Sequence, residues 1–408
     1  MILIFILAFG VICTPLFAQD FANLSLQEAF QIALEGNKNI LSRRENINIK
    51  KGEFWSKISL PNPEISWEFE EIPKGEPFKN YGNQRFAITQ EFEFPTNYFL
   101  KAKALNSGIL VAEIETKAEE NNLKNEVMKT YFEVVLSSEL NKLARQNFVQ
   151  TTKFYENVKK LEEFGETDKL SVLKAKVKKS IAQNELESSI QDSIFITKRF
   201  LNLLGISSEK INSLKLTDSL ESSSNSYSNK VEGLATNPLL QLTKLEKGSA
   251  KIDKWLTYSE ILPNFSFSYF QDKTENSEKF WGVELGISVP IWLIGYKGNI
   301  QQAKAKLRQA KFNKEFVELN LKNEFWEVES QLEKAKKQTE LFKNEILLEA
   351  KEAFRVAEKS YQEGEIGFLD FFDSQQLLIE VQKEYLTAQF DYQVAKADLL
   401  TLIGFQQN

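Results

Sequence analysis

Proline is missing from two long stretches of the sequence, and this constrains the fold more than any other feature. The prolines lie at positions 15, 61, 63, 73, 77, 95, 238, 263 and 290, so none interrupts residues 96–237 or 291–408. Because proline breaks the interior of a helix, both stretches permit unusually long helices. Apolar residues recur there at three- and four-residue spacing, the period of one buried helix face. The sequence predicts long helices packed as antiparallel coiled coils.

Two glycine-containing segments interrupt these helical patterns. One reads FGETDKL at residues 164–170, and the other reads GEIGFLDFFD at residues 364–373. Glycine adopts the backbone angles that reverse a chain, so Gly364 and Gly367 are expected to supply them at the second segment. An acid such as Asp370 can cap the next helix and stabilise its positive end. We therefore predict two helical hairpins with tips at about 164–169 and 363–369.

The second half of the sequence repeats the first. Leu-Pro-Asn occurs at 60–62 and 262–264, Leu-Lys-Asn-Glu at 123–126 and 321–324, and Leu-Leu-Gly at 203–205 returns as Leu-Ile-Gly at 402–404. Asn37 and Asn237, Pro95 and Pro290, and the two tip glycines also correspond, all in the same order at offsets of 195–202 residues. The sequence predicts a duplication, with a first repeat at 19–212, a Ser-rich linker at 213–229 and a second repeat at 230–408.

Four segments between the helices alternate apolar and polar residues, which indicates β-strands at about 62–71, 84–94, 263–272 and 281–290. Their length of about ten residues and their two-residue period are typical of transmembrane β-strands. Loops at 72–83 and 273–279 are expected to be extracellular. The residues expected to face lipid are Trp67, Phe69, Phe86, Phe92, Phe267, Trp281 and Leu285. The residues expected to line a lumen are Glu68, Glu91, Glu93, Ser266 and Glu284.

Four strands cannot close a barrel on their own. An open sheet edge in hydrocarbon leaves backbone groups without partners, so several chains would have to contribute to one barrel. A second interpretation is a soluble four-stranded sheet with one face in a core. The strand pattern alone leaves both interpretations open.

The first 18 residues have the features of an export signal. They contain an apolar run and end in Ala18, as a secretory signal peptide does. A rival interpretation is lipoprotein processing at Cys13. No later segment has 18 or more apolar residues in succession, so a mature transmembrane helix is not expected.

The composition excludes several functional classes. The net charge is −6 and Lys and Arg are not clustered, so the chain lacks the electrostatic pattern of a nucleic-acid-binding protein. It has no histidine and its one cysteine is Cys13, which removes His- or Cys-based nucleophiles, the usual zinc ligands and disulfides. No phosphate loop or dinucleotide fingerprint occurs either. We predict no catalytic residue, no metal site and no cofactor, and therefore not an enzyme.

The order helix, helix, strand pair and helical hairpin, repeated once, resembles the TolC family of outer-membrane efflux channels. Residues 364–375, GEIGFLDFFDSQ, are most similar to the tip of the cation-efflux (CzcC-like) branch, which reads G-x-I-S-x-L-D/E-L-L-D-A-Q. The resemblance implies a homotrimer with a twelve-stranded β-barrel in outer-membrane lipid, four strands per chain, on a periplasmic α-helical tunnel. It also implies a periplasmic membrane-fusion adaptor and an inner-membrane pump of RND type.

The function implied is a passive exit duct of a tripartite efflux system, located in the outer membrane with its helical tunnel in the periplasm. The substrates could be metal cations or drugs, with the choice made by the pump. Two alternatives remain: the exit channel of a type I protein-secretion system, and a periplasmic coiled-coil scaffold that is not a channel.

The resemblance also implies roles for residues of the tips. It places Asp370 and Asp373, one helical turn apart, in two acidic rings at the narrow periplasmic entrance. The matching residues of the first tip are Ser171 and Lys174. A plainer interpretation is that Asp370 caps a helix and Asp373 is a solvated acid. The residues expected to contact the adaptor are Gly165, Glu166, Thr167, Gly364, Ile366, Gly367 and Leu369. Some relatives have a basic residue where this chain has Ile366, so a salt bridge that locks a closed state is not expected here.

Overall fold

The computed structural model describes residues 21–77, 79–207, 214–221, 231–274 and 279–405. The expected signal peptide at 1–18, with Cys13, lies outside the described residues, as do Phe78 and 275–278 in the two expected loops. The chain divides into two compact units. Unit 1 contains Met1–Lys38, Asn122–Tyr227 and Glu327–Thr401, and unit 2 contains Asn39–Asn121, Ser228–Trp326 and Leu402–Asn408. Each unit therefore contains parts of both expected repeats.

Long helices and short strands make up both units. In chain order they are β1 (Phe21–Leu24), α1 (Leu26–Gly36), α2 (Lys38–Ile58), β2 (Glu64–Glu70), β3 (Asn83–Phe92), α3 (Pro95–Glu163), α4 (Lys169–Leu203), β4 (Leu214–Leu216), a 3₁₀ turn (Val231–Thr236), α5 (Pro238–Ser259), β5 (Asn264–Thr274), β6 (Phe280–Ser288), α6 (Leu293–Leu341), a π-turn (Phe342–Ile346), α7 (Leu347–Gln362) and α8 (Phe368–Ile403). The predicted fold class, long helices with an antiparallel sheet, is confirmed.

Helix α3 is the longest element. It has 69 residues, which corresponds to about 100 Å at 1.5 Å per residue. It begins at Pro95, where proline's missing N–H costs no helical hydrogen bond. Its burial is spread along its length, from Ala112 through Val127 and Tyr131 to Val158.

Both helical hairpins turn by the same backbone motif. Gly165 and Gly364 have φ angles of +77° and +76°, and the amide of the next residue donates to the carbonyl five residues back. This is the Schellman ending of a helix, which favours glycine because a side chain strains a positive φ. Gly367 was expected to supply an unusual angle as well, but it is not among the residues with positive φ. It only precedes α8, and Asp370 lies in the first turn of α8 instead of capping it.

The π-turn marks a length difference between the two hairpins. Leu123 and Leu321 are 198 residues apart, whereas Gly165 and Gly364 are 199 residues apart. The second hairpin arm thus has one residue more between these positions. The π-turn Phe342–Ile346 lies in this interval, and a π-turn holds one extra residue without changing the helix on either side.

A short parallel sheet in unit 1 was not expected. Strand β1 pairs with β4, so part of the segment expected to be a linker is a strand. Tyr131 of α3 fixes this sheet: its hydroxyl group donates to two nearby acceptors, the Leu24 carbonyl and Asp218 Oδ2, each 2.9 Å away. Asp218 Oδ2 also accepts from the Leu26 amide at 2.9 Å. Burial raises the pKa of Tyr131 to about 12, so the phenol stays protonated and keeps its donor.

Candidate functional site: a two-faced sheet and two helical tips

The strands β2, β3, β5 and β6 form one antiparallel sheet in that order, within unit 2. Residues opposite each other in neighbouring strands share a face, so the register assigns every side chain to one of two faces. Trp67 lies opposite Phe86, Phe86 opposite Gln271, and Gln271 opposite Trp281. We call their side the apolar face. The side that holds Glu64, Thr89, Ser268 and Glu284 is the polar face.

Aromatic side chains lie at both ends of the apolar face. Trp67 packs edge-on against Phe86 with ring centroids 5.4 Å apart, near the loop ends of the strands. Phe94 packs against Phe265, at 6.2 Å, near the helix ends. Two rows lie between them: one consists of Ile65, Ile88, Tyr269 and Val283, and the next of Gln90, Phe267 and Leu285. Large apolar side chains here are exposed in the single chain, Leu285 to 78% and Trp281 to 70%. Such a face needs an apolar surrounding.

The polar face is acidic. On its strands it carries the acids Glu64, Glu68, Glu70, Glu91, Asp272 and Glu284 and the single cation Arg85. Arg85 binds Asp272 through two bonds, 2.8 Å from Nε and 3.0 Å from Nη2. Its guanidinium also lies over the Phe270 ring, 4.6 Å from the centroid. Further along, Thr89 donates to Ser268 at 2.9 Å.

The register brings the expected residues together with one exception. All seven residues expected to face lipid lie on the apolar face, and Glu68, Glu91, Ser266 and Glu284 lie on the polar face. Glu93 does not, because β3 ends at Phe92. Its carboxylate instead forms an ion pair with Lys101 in the first turns of α3, and its amide donates to the Tyr98 hydroxyl. Glu93 therefore fixes the junction between strand and helix.

The two tips meet in an aromatic cluster within unit 1. Phe154 of α3 stacks on Phe368 of α8 with ring centroids 4.3 Å apart, and Tyr361 stacks on Phe371 at 5.0 Å. Phe154 also packs with Val158 and Ala175, which are buried. Gln375 is buried beside this cluster and donates to Gln150 Oε1 at 3.0 Å. The cluster fixes the second hairpin against the first.

The expected entrance acids are accessible. Asp370 and Asp373 are both exposed on the first turns of α8, three residues apart and so on adjacent positions of one helix side. Of the expected adaptor contacts, Gly165, Glu166, Gly364, Gly367 and Leu369 are exposed, and Thr167 and Ile366 are half-buried. Phe164, beside Gly165, is 79% exposed. Phe164 was not among the expected adaptor contacts, although it lies next to the tip glycine.

Two negative findings apply to the described residues. None of their helices combines the length and the apolarity that crossing a membrane requires. Among the same residues, His, Cys, Asp and Glu side chains form no group of three or more that could hold a metal ion.

The second part of the sequence matches a known family. Residues 218–405 fit the model of the outer membrane efflux protein family, somewhat less than half of the 408 residues. No curated protein matches the sequence.

The fold is similar to solved structures over nearly the whole chain. One similar structure is that of CusC, which is described in connection with transmembrane channel formation. Its TM-score is 0.80 at 16% identity, and the alignment covers 97% of this chain and 95% of the CusC chain. The outer membrane protein VceC of Vibrio cholerae has 0.79 at 14% identity, with 93% and 96% covered. The open state of the MtrE outer membrane channel of Neisseria gonorrhoeae has 0.79 at 16% identity, with 93% and 88% covered. Residues 218–405 thus have the sequence pattern of the outer membrane efflux proteins, and the described residues have the fold of these three solved structures.

Proposed function

We propose that this protein is the outer-membrane exit duct of a tripartite efflux system. The observation that carries the proposal is the two-faced sheet: one face is apolar with aromatic residues at both ends, and the other is polar and acidic. Lipid would cover the first face and water the second, with the aromatic rows at the two interfaces. The protein acts as a passive conduit, and its similarity is to channel proteins and not to enzymes.

The duct is built by three copies of the chain. Strands β2 and β6 are the edges of the sheet in the described residues, and an edge in hydrocarbon must be paired. Pairing β6 of one copy with β2 of the next closes twelve strands into a barrel. Helix α4 supports assembly because four large apolar side chains at three- and four-residue spacing are more than half exposed along one side of it: Leu170, Leu173, Val177 and Ile181.

The tips form the periplasmic entrance of the proposed duct. Asp370 and Asp373 would give six carboxylates around the axis of the trimer and favour cations there. Exposed tip residues, including Glu166 and Leu369, would contact a membrane-fusion adaptor. An inner-membrane pump of RND type would supply the energy and select the substrate. Metal cations are one candidate substrate class, because residues 364–375 resemble the tip of the cation-efflux branch, and drugs are the other.

An exit channel for type I protein secretion is the second candidate function. It shares the duct, the trimer and the tips, and it is favoured by the same observations. Deleting the gene should raise sensitivity to metals or drugs if the duct serves efflux. It should instead abolish secretion of a protein if the duct serves type I export.

The membrane face can be tested by a pair of adjacent substitutions. Leu285→Lys puts a charge on the apolar face, where a lysine in mid-membrane costs about 2–4 kcal/mol per copy. Glu284→Lys puts the same charge on the polar face. We expect the first variant to be lost from detergent-extracted outer-membrane trimers and the second to assemble and conduct in planar bilayers. If both variants assembled equally well, or the wild type were extracted without detergent, the proposal would be wrong.

The entrance acids need a separate recording. Asp370→Asn with Asp373→Asn should weaken cation selectivity and block by divalent ions in bilayers. Glu166→Gln in the first tip is the matched control and should have the smaller effect. Unchanged selectivity and block in the double variant would refute the entrance role and leave the exit duct standing.

A further inference from the structure

We propose that Arg85, Phe270 and Asp272 form a collar that determines selectivity inside the barrel, toward its outer end. The inference rests on the proposed function, because it needs the polar face to line a lumen. The collar is the only place on this face where described strand residues bring a cation, an acid and an aromatic ring into contact.

Phe270 departs from the alternation of its strand. The apolar residues of β5 before it are Phe265, Phe267 and Tyr269, all on the apolar face, whereas Phe270 lies on the polar face. An aromatic ring exposed to a water-filled lumen gains nothing from lipid, so its position needs another explanation. Its contacts on both sides supply one.

Gly282 of β6 makes room for the ring. A Cβ at Gly282 would lie 2.4 Å from Phe270 Cζ, so the ring lies directly on the backbone of the neighbouring strand. On its other side the ring meets the Arg85 guanidinium, with Cζ 4.6 Å from the centroid. Backbone, ring and guanidinium thus form a stack across three strands, held by cation–π attraction.

Asp272 fixes the cation at the top of the stack. Two charge-assisted bonds of 2.8 and 3.0 Å hold Arg85 in one orientation, and yet 42% of its side chain stays exposed. Glu68 lies opposite Arg85 on the other side. A guanidinium held this way is a fixed charge and not a mobile surface side chain.

The position of the collar along the strands defines its role. Glu68, Arg85 and Asp272 share one row of the sheet, two rows on the loop side of Glu64, Thr89 and Glu284. In the trimer the row gives three fixed guanidinium groups in a lumen that otherwise carries acids. Arg85 cancels the charge of Asp272, so that Glu68 alone leaves a net charge in this row, and the outer end of the duct discriminates less strongly against anionic solutes than a row with two unpaired acids would. The stacked rings also narrow the lumen at this level.

Single-channel recordings in planar bilayers test the collar, with KCl gradients to measure selectivity. Arg85→Gln should shift the reversal potential toward that of K⁺, because three positive charges are removed. Phe270→Ala should raise the conductance by widening the lumen. Gly282→Ala should displace the Phe270 ring toward the axis of the barrel and so lower the conductance. Ser66→Ala, on the same face without a described contact to the stack, is the matched control and should change neither property.

The outcomes separate the collar from the exit duct. If no variant and no wild-type trimer conducts, the exit duct itself is refuted. If the wild type conducts and Arg85→Gln and Phe270→Ala trimers behave as Ser66→Ala does, the collar is refuted and the duct stands. Should a variant fail to assemble, Arg85→Lys keeps the charge and loses the two-bond geometry. This variant should keep the reversal potential near the wild-type value, and a shift as large as that of Arg85→Gln would overturn the charge argument.

Discussion

In each of the two expected repeats, the side chain of a corresponding asparagine bonds to a backbone carbonyl at the end of a long helix. The backbone contacts next to that bond differ between the repeats. In the first, the Asn37 side chain donates to the Leu203 carbonyl at 3.0 Å; in the second, Asn237 donates to the Leu402 carbonyl at 2.8 Å. A glycine with positive φ follows two residues later in each, Gly205 at +75° and Gly404 at +79°. The partner of that glycine differs between the repeats.

The first closure depends on the absence of side chains. A Cβ at Gly205 would lie 2.3 Å from the Gly36 carbonyl oxygen, so two backbones touch. In the second repeat Thr236 replaces Gly36, and its hydroxyl donates to the Ile403 carbonyl at 3.1 Å. A Cβ at Gly404 would lie 3.7 Å from the Thr236 hydroxyl oxygen, an ordinary contact distance. The same fold element is therefore held once by close backbone packing and once by a hydroxyl, with different tolerance to substitution.

The two hairpin arms also differ, because only the second contains the π-turn. Deleting one residue from each arm should give the largest difference in trimer assembly. Removing Arg145 from the uninterrupted α3 would rotate everything after it by about 100° and misplace Phe154 in the tip cluster. Removing Asn344 from the π-turn should instead convert that turn to regular α-helix and leave the tip in place. Both side chains are exposed, so lost contacts are comparable.

We expect trimers with Asn344 deleted to be recovered at near wild-type yield and those with Arg145 deleted to be lost. The check is the trimer fraction after detergent extraction, followed by thermal unfolding in circular dichroism. Equal loss of both variants would contradict the one-residue insertion.

The two closures should respond differently to alanine. Gly404→Ala adds the strain of a positive φ, about 1–2 kcal/mol. Gly205→Ala adds the same strain and a clash with the Gly36 backbone, so we expect a loss of about 4 kcal/mol or more. The apparent melting temperatures of the two variants measure the difference. Similar shifts would show that the backbone around Gly36 and Gly205 moves apart without a loss of stability.

The asparagines give a smaller contrast in the opposite direction. Asn237 is buried and also caps α5 by accepting from the Leu239 amide at 2.9 Å, whereas Asn37 is half-buried. We expect Asn237→Ala to cost about 2–3 kcal/mol and Asn37→Ala about 1 kcal/mol. Asn237→Ser keeps a short oxygen acceptor for the cap and loses the donor to Leu402, so its melting temperature should fall between those of Asn237→Ala and the wild type. If Asn237→Ser melted with Asn237→Ala, the cap would contribute nothing.

Local periodicity explains which parts of the molecule could be predicted from sequence. The helices, the four-stranded sheet and the two faces follow from periods of 3.6 and 2, and the tips follow from glycine. Strands β1 and β4 could not be found this way, because they have four and three residues and pair across 193 residues between Phe21 and Leu214. The Arg85–Asp272 pair could not be predicted for the same reason, because its residues are 187 positions apart and meet only when β3 lies beside β5. The sequence shows that Phe270 breaks the alternation of its strand. The reason for its position cannot be predicted from the sequence, because it depends on Gly282 of the neighbouring strand.

The smallest contrast lies in the tips and depends on pH. Asp168 caps α4, and its Oδ1 accepts from the Ser171 amide at 2.7 Å; the corresponding residue before α8 is Gly367. That backbone hydrogen bond to Ser171 lowers the pKa of Asp168 below its ordinary value in the folded protein. The cap therefore stabilises the first turn of α4 above the unfolded-state pKa, and the contribution is lost as pH falls through the folded-state pKa.

Amide hydrogen exchange of the first turns of α4 and α8 tests this contrast. Acidification should speed exchange at Ser171 more in the wild type than in Asp168→Asn, because the asparagine oxygen accepts the bond without titrating. The first turn of α8 should exchange alike in both proteins, since the residue before it has no side chain to protonate. Exchange at Ser171 must be compared between the two proteins at one pH at a time, because intrinsic rates change with acidity. Identical rates at every pH would mean that the Asp168 cap does not hold the first tip, and both tips would then depend on their glycines and on the Phe154 cluster alone.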